Sequence, residues 1–303
     1  MAEVESSQAF NGDLESNLEA AVRKYINQPM PGANRTAEYN EQRTRRRFRE
    51  EDDPSIKRFS ARVLAEVAPQ ASVVELGSGT GGISVDLARS GLDVLGIEPE
   101  SGGIQASVWR ARRYPEIRCR FEVGVAERLP IASESVDAVV SNQVIEHIRD
   151  IDGAAREMFR VLKPGGLVLH NMPNYAFPYE PHYRVPFPPR MSRTTGMRYL
   201  KLLGRDPKLF DDCIFPTLSA SVIALFERHG FVGAHNRYAH EVSEKLKGAT
   251  IRSARLQRVV KIFQASGILP IVRNVVMALE LYPAIVFMAW KPPLPPNAQV
   301  LST

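Results

Sequence analysis

The stretch Val73-Val74-Glu75-Leu76-Gly77-Ser78-Gly79-Thr80-Gly81-Gly82 decides the fold. Its first four residues predict a short buried strand, and residues 83–90 behind it predict a helix. The glycines between them allow the backbone to turn sharply and to approach a ligand closely, because no Cβ atom stands in the way. A glycine-rich turn between a strand and a helix is typical of a site that binds a nucleotide-like ligand with its backbone.

An acidic residue supports this interpretation. The next predicted strand, Asp93-Val94-Leu95-Gly96-Ile97, is followed by Glu98, about twenty residues beyond the turn. A carboxylate at that place can accept hydrogen bonds from both hydroxyl groups of a ribose. The turn and Glu98 together predict a nucleoside site at the carboxyl edge of a sheet.

Strand and helix patterns alternate on both sides of the turn. Further strands are predicted at 117–123, 136–140, 167–170, 232–238 and 284–289, and helices at 55–67, 103–113, 153–162 and 219–229. Strands separated by helices of this length predict an α/β fold, in which a doubly wound, mostly parallel sheet carries helices on both faces.

Residues 54–291 are therefore expected to form the main domain, preceded by a helical and charged extension over residues 1–53 and followed by an extended tail over 292–303. Two insertions are expected, an irregular, proline-rich segment over 171–216 and a helical one over 241–282. The charged run 43–53 is interpreted as a solvated helix face with acid–base pairs. The alternative is a cover over an anionic ligand.

Composition and charge exclude some classes of protein. The 303 residues carry a formal net charge of +5, which permits an anionic partner without requiring one. Cys119 and Cys213 have no metal-ligand spacing and are expected to be reduced thiols of a cytoplasmic protein. No secretory signal is visible, and Ile268 to Trp290 is interrupted by Arg273 and Glu280, which argues against a membrane span.

Five blocks of sequence resemble, in family order, the class I S-adenosylmethionine-dependent methyltransferases with a type 11-like methyltransferase domain. They are the turn at residues 73–81, Ile97-Glu98-Pro99, Ala126-Glu127-Arg128-Leu129-Pro130, residues 136–148 and Leu162-Lys163-Pro164-Gly165-Gly166-Leu167-Val168-Leu169. The resemblance implies a seven-stranded, Rossmann-like sheet with an antiparallel last strand. It also implies S-adenosyl-L-methionine as the cofactor.

The resemblance also assigns roles to residues at the cofactor site. The turn around Gly77 and Gly79 would contact the methionine part, Glu98 the ribose and Ala126 the adenine. The residues implied at the cofactor are Glu75, Gly77, Ser78, Gly79, Gly81, Glu98, Ala126, Glu127 and Asn142. In many relatives an aspartate stands where this chain has Val125, so recognition of the adenine is expected to depend on backbone groups.

A base for catalysis is sought in the segment after the fifth strand. An alcohol acceptor gains from a group that removes its proton, and histidine titrates near neutral pH. The hypothesis is that His182 is this general base, supported by Glu180 or Tyr183. The alternative is a histidine that only orders its loop. No cluster with the spacing of metal ligands is recognised, so no metal is predicted.

The expected reaction is methylation of an oxygen on a small molecule, a sugar or a lipid-linked glycan. Transfer to a nitrogen or a carboxyl group of a metabolite stays open, as do an NAD(P)-dependent oxidoreductase and a non-catalytic nucleoside-binding protein. Nucleic acid is not expected as a substrate, because Ser141-Asn142-Gln143-Val144 stands where an Asn-Pro-Pro-aromatic block would be needed. The 241–282 insertion is interpreted as a packed cap, with a homodimer face or a peripheral membrane contact as alternatives.

Overall fold

A computed structural model describes residues 11–28, 36–246, 262 and 265–293 of the chain. In this part of the chain, seven strands form one sheet: β1 (Ser72–Leu76), β2 (Asp93–Glu98), β3 (Cys119–Val123), β4 (Val136–Asn142), β5 (Leu162–Pro173), β8 (Val232–Asn236) and β9 (Ala284–Trp290). The order of these strands across the sheet is β3-β2-β1-β4-β5-β9-β8. Strands β1 to β5 pair in parallel, whereas β9 runs antiparallel to both of its neighbours. The doubly wound sheet and its antiparallel last strand confirm the predicted fold class.

Helices cover both faces of this sheet. They span Pro54–Leu64, Gly82–Arg89, Ser101–Ala111, Ile151–Val161, Ser219–Arg228, Arg237–Leu246 and Leu269–Ala278. Neighbouring residues of a strand point to opposite faces, so Val73 joins one buried apolar cluster and Val74 the other. The fold therefore buries an apolar layer above and below the sheet, as the mostly apolar strand sequences predict.

The strand order places the functional edge of the sheet. The chain moves outward from β1 through β2 to β3, then returns to the other side of β1 with β4. In open sheets of this kind, ligands bind at the carboxyl ends of the strands where the order reverses. The glycine turn after β1, Glu98 at the end of β2 and Asn142 at the end of β4 all lie at this edge.

The N-terminal extension packs directly on the domain. Its helix Asn11–Ile26 lies against the helix Ser101–Ala111, and Leu18, Val22 and Ile26 are buried with Ala106. The second helix spans Ala37–Phe48 and is followed by a single 3₁₀ turn at Glu50–Asp52. These elements attach the extension to the residues that follow β2.

The charged run 43–53 differs from the sequence interpretation. Arg45 and Arg46 are exposed, as expected of a solvated helix face. Thr44, Glu50 and Glu51 are instead buried. The burial of Glu51 is possible because Arg110, which is distant in sequence, supplies the positive charge that Glu51 faces.

The proline-rich segment also has more structure than predicted. Strand β5 continues to Pro173, and the segment then forms the hairpin β6 (Tyr179–Glu180) and β7 (Val185–Pro186). Two helices follow at Arg193–Leu202 and Lys208–Cys213. The segment forms a satellite core of its own, built from Tyr175, Val185, Phe187, Leu200, Leu209, Phe210 and Ile214.

The helical insertion begins earlier than predicted. Strand β8 ends at Asn236, because the side-chain Oδ1 atom of that residue accepts hydrogen bonds from the N–H groups of Tyr238 at 3.1 Å and Ala239 at 3.4 Å. This contact starts the helix Arg237–Leu246, whereas the sequence pattern predicts a strand to residue 238. Residues 247–261, and with them much of the predicted cap, lie outside the described part. Across the residues that are described, no helix combines the length and the apolar character needed to cross a membrane.

Candidate active site

The glycine turn and Glu98 lie in direct contact. The N–H group of Gly79 donates to Oε2 of Glu98 at 2.9 Å, and the N–H group of Glu100 donates to Oε1 at 3.2 Å. Gly77, Gly79 and Gly81 have φ angles of 65°, 57° and 84°, a region that residues with a Cβ atom rarely adopt. The turn therefore requires glycine at these positions. The N–H group of Gly79 holds the carboxylate of Glu98 against the turn.

Two side chains of the N-terminal extension lie over this turn. A Cβ atom on Gly79 would be 3.3 Å from Nη1 of Arg47 and 3.9 Å from the hydroxyl oxygen of Tyr25. Nη1 of Arg47 also donates to the hydroxyl of Thr80 at 3.2 Å. Burial raises the pKa of Tyr25 to about 12, and the nearby Glu98 acts in the same direction. The extension thus brings one cation and one neutral hydroxyl to Gly79. Its Glu50 also accepts from the N–H group of Gly82 at 3.2 Å and pairs with Arg47 at 3.3 Å.

A buried guanidinium holds the extension in place. The side chain of Arg110 is 0% exposed and forms an ion pair with Glu51. Its Nε donates to the carbonyl of Thr80 at 2.7 Å, and its Nη1 donates to the carbonyl of Phe48 at 3.2 Å. The side chain of Arg110 therefore joins the glycine turn to the charged run. These segments are so far apart in sequence that no local pattern predicts the contact.

These groups fit S-adenosylmethionine. A carboxylate offers about four acceptor positions, and Glu98 uses two of them, which leaves two for the ribose hydroxyl groups. Gly79 presents backbone without a side chain, and Arg47 supplies a positive charge for the carboxylate of the methionine part. Glu98 would thus hold the ribose, and Arg47 would face the opposite end of the cofactor.

The structure distributes the other implied cofactor residues around this edge. Glu75 is buried inside the fold and accepts a hydrogen bond from Ser84, and burial raises its pKa to about 8. Ser78 and Ala126 are buried, while Glu127 is partly exposed next to Ala126. Asn142 ends β4, and its Oδ1 atom accepts from the amide of Asn171 at 2.6 Å. Glu75 therefore fastens the helix behind the turn to β1.

The hairpin β6–β7 brings the predicted catalytic residues to the same edge. Nδ1 of His182 lies 2.7 Å from Oε1 of Glu180, which is fully buried. Glu180 also accepts from the hydroxyl of Tyr175 at 3.1 Å. Burial lowers the pKa of His182, but the hydrogen bond and the charge of Glu180, together with the charge of Glu146, raise it by more in sum, so that the net shift is upward.

Tyr183 supports this pair through its backbone rather than its ring. Its N–H group donates to Oε2 of Glu180 at 2.5 Å. Its hydroxyl group donates to the carbonyl of Asp206 at 2.8 Å and accepts from the N–H group of Phe210 at 3.1 Å. The phenol thus stabilises the satellite core.

Two residues directly after β4 complete the site. Glu146 and His147 form a 3₁₀ turn with Ile145, and Val144 before them packs against Gly77. The ring of His147 lies 5.1 Å from that of His182, measured between centroids, in an edge-on arrangement. The turn after β4 therefore connects the glycine turn to the Glu180–His182 pair.

His170 is buried in the sheet, and this predicts a pH effect on stability. Burial lowers its pKa to about 3, whereas an unfolded histidine titrates near 6.5. The unfolded chain binds the extra proton between these values, so stability from this group is complete above about pH 6.5 and falls as the pH decreases toward 3. The expected loss at pH 5 is about 2 kcal/mol.

The measurement is urea unfolding at pH 7 and pH 5 for the wild type and for His170→Asn. The asparagine keeps a polar group near Ser141, whose hydroxyl lies 2.9 Å from Nδ1 of His170. The variant should lose about 2 kcal/mol less between the two pH values. Equal losses in the two proteins would contradict a neutral, buried imidazole.

Comparison with known proteins agrees with this geometry. Residues 74–170 match the family model described as "Methyltransferase domain". A probable S-adenosylmethionine-dependent methyltransferase of Mycolicibacterium smegmatis is 33% identical over 172 residues, which cover 55% of this chain and 63% of that protein. The ubiquinone/menaquinone biosynthesis C-methyltransferase UbiE of Rubrivivax gelatinosus is 36% identical, over 37% of this chain and 43% of the relative. The chain thus spans less than two thirds of these relatives.

A solved structure shares the fold. Phosphoethanolamine N-methyltransferase 2 of Haemonchus contortus superimposes with a TM-score of 0.53 at 18% identity, over 89% of this chain and 60% of that one. The segment that matches the family model, residues 74–170, runs from β1 to β5 and contains the glycine turn, Glu98 and Glu146. Residues 74–170 of the chain therefore match a methyltransferase domain, within a fold that the solved N-methyltransferase shares.

Proposed function

We propose that the protein transfers a methyl group from S-adenosylmethionine to an oxygen atom of a small-molecule acceptor. The use of S-adenosylmethionine is supported by the contact between Gly79 and Glu98, since it joins a backbone turn to a carboxylate that can hold a ribose. The cofactor supplies a methyl group that its sulfonium already makes electrophilic. The chain's own residues must then place the acceptor, exclude water and handle a proton.

The choice of oxygen rests on the Glu180–His182 pair. A hydroxyl group has to lose its proton on methylation, and a polar group held ready at the acceptor side assists that loss. Glu180 fixes the imidazole through Nδ1, which leaves Nε2 directed away from the carboxylate. The His182 side chain is 22% exposed, so that an acceptor can reach it. A fixed, accessible imidazole beside the cofactor edge favours a hydroxyl acceptor.

Water is excluded by the N-terminal extension. Arg47 and Tyr25 lie over the glycine turn, and Glu98 is only 5% exposed. A covered site strengthens the attraction between Arg47 and an anionic cofactor end, because few water molecules screen it. The extension thus takes part in cofactor binding, which is the cover that the charged run left open as an alternative.

Replacing His182 with alanine tests the acceptor side. Turnover is expected to fall by about 100-fold or more, because the imidazole of His182 is the group proposed to activate the hydroxyl. Binding of S-adenosylhomocysteine should stay unchanged, since His182 lies outside the glycine turn. The control is His240→Ala, which removes an exposed histidine. The assay follows radiolabelled methyl transfer into small-molecule and lipid extracts, and wild-type turnover in His182→Ala would refute the role.

A second candidate is methylation of a carbon on a quinol ring, which the name of the relative from Rubrivivax gelatinosus favours. Such a ring also carries hydroxyl groups whose loss of a proton makes the carbon nucleophilic. Carbon-13 NMR of the labelled product separates the two reactions, because methyl groups on oxygen and on carbon resonate in different regions. A carbon-bound label would replace the oxygen acceptor by the quinol.

A further inference from the structure

Three side chains at the acceptor end of the site converge on one point. Each of Glu146, His147 and His182 offers an atom that could bind a metal ion, and these atoms all lie within 4.8 Å of one another. Glu146 and His147 come from the turn after β4, whereas His182 comes from the tip of the β6–β7 hairpin. The cluster thus forms only when the 171–216 segment folds back on the sheet.

Glu146 is the unusual member of this cluster. Its side chain is fully buried, and neither carboxylate oxygen accepts a hydrogen bond from another residue in the described part of the chain. Burying a carboxylate without a partner costs several kcal/mol, so such groups are normally paired or bound to a metal ion. Without a positive partner, burial raises the pKa of Glu146 to about 7, and a cation at this point would allow the carboxylate to stay ionised.

The Nδ1 atoms of the two histidines are both engaged by acceptors. Nδ1 of His147 lies 2.6 Å from the carbonyl oxygen of Cys213, and a carbonyl can only accept, so this nitrogen carries the proton. Nδ1 of His182 is engaged in the same way by Glu180. In both rings, Nε2 keeps its lone pair, and the partner on Nδ1 fixes the direction of the ring. Metal-binding histidines commonly have such an arrangement.

We propose that Glu146, His147 and His182 bind one divalent cation of the first transition row, from Mn²⁺ to Zn²⁺, and that this cation anchors the hydroxyl group of the acceptor. Two imidazole nitrogens with one carboxylate suit these ions better than Mg²⁺, which prefers oxygen ligands. Ligand bonds of about 2.1 Å require the three atoms to draw together by roughly 1 Å, a movement that the short hairpin carrying His182 can supply. This proposal differs from the sequence prediction, which expects no metal.

The surroundings leave room for the acceptor. The side chains of His147 and His182 are 35% and 22% exposed, so the remaining positions on the cation face the opening. A hydroxyl group bound there loses its proton to water more easily, because the cation stabilises the resulting oxyanion. The cation site rests on the proposed function and changes the role of His182 in it. Nε2 of His182 then holds the cation and no longer takes the proton itself.

The test is the binding of Mn²⁺ to the full chain, prepared without a histidine tag and treated with EDTA. Electron paramagnetic resonance and calorimetry should show one Mn²⁺ per chain. Glu146→Gln should weaken this binding by about 100-fold or more, and Glu180→Gln by about 10- to 100-fold, because the latter only orients His182. Glu116→Gln, at an exposed position, is the matched control and should bind as the wild type does.

Folding of the variants is checked independently of the metal. Without metal, Glu146→Gln should unfold at the same temperature as the wild type or at a higher one, because the substitution removes an unpaired buried charge. Activity of the EDTA-treated wild type should return with Mn²⁺ or Zn²⁺, and more weakly with Mg²⁺.

Binding of S-adenosylhomocysteine, measured on the same samples, separates the two proposals. A protein that binds S-adenosylhomocysteine but no Mn²⁺, or whose Glu146→Gln variant binds Mn²⁺ normally, overturns the cation site and leaves the proposed function standing. A protein that binds Mn²⁺ but no S-adenosylhomocysteine overturns the proposed function and leaves the cation site.

Discussion

Replacing Glu98 with glutamine should weaken the binding of S-adenosylhomocysteine by about 100-fold, which is about 2.7 kcal/mol. Glu98 is placed to accept hydrogen bonds from two ribose hydroxyl groups, and hydrogen bonds to a charged group contribute about 1.5–3 kcal/mol each. Glutamine keeps one acceptor atom but turns the other into a donor, which repels the backbone N–H group or the hydroxyl that it faces. The loss should appear in calorimetric titration at constant salt.

Glu100→Gln is the matched control for this prediction. It removes an exposed carboxylate two residues farther on, whose backbone N–H group but not its side chain contacts Glu98. The folded fraction of each variant is measured by thermal unfolding, since Glu98 also accepts from Gly79 and its replacement loosens the turn. Equal affinity in Glu98→Gln and the wild type would remove the carboxylate from the cofactor site.

Replacing Arg110 with methionine should destabilise the protein by about 3 kcal/mol, because the buried carboxylate of Glu51 loses its ion pair with Arg110 and keeps the one with Arg113. The substitution also removes the donors to the carbonyls of Thr80 and Phe48. Since these contacts attach the extension to the glycine turn, we expect affinity for S-adenosylhomocysteine to fall in the fraction that remains folded. Urea unfolding and calorimetry measure the two effects separately.

Two further proteins make this result interpretable. Arg118→Met removes an exposed arginine shortly after the same helix and should change stability little. The double variant Arg110→Met/Glu51→Met replaces the ion pair by apolar groups, and such replacements often recover most of the lost stability. If the double variant were as unstable as Arg110→Met, the loss of the Arg110 charge beside Glu51 would not be the cause.

The parts of the fold that depend on neighbouring residues could be predicted from the sequence. The glycine turn and Glu98 stand about twenty residues apart in one strand–helix–strand unit, so their contact follows from the local pattern. The strand order is also predictable, because the five blocks stand in the order of a known family. Even the helix start at Arg237 depends on a local contact, but the side chain of Asn236 was not recognised as its cause.

Contacts between distant segments could not be predicted in the same way. Arg110 and Glu51 are 59 residues apart, and each has the sequence context of an ordinary surface charge. His147 and His182 meet because the β6–β7 hairpin turns the chain back, and no spacing rule connects them. An unpaired buried carboxylate such as Glu146 becomes visible only when its surroundings are known.

The cover over the glycine turn has a consequence for the pace of the reaction. Gly79 and Glu98 are buried, and Arg47 and Tyr25 lie over Gly79. For a nucleoside to arrive or depart, Arg47 and Tyr25 have to move away from the turn. We expect the exchange of spent cofactor for fresh cofactor to follow the movement of the helices Asn11–Ile26 and Ala37–Phe48, which carry these two residues. The rate of this movement would then limit the rate of turnover.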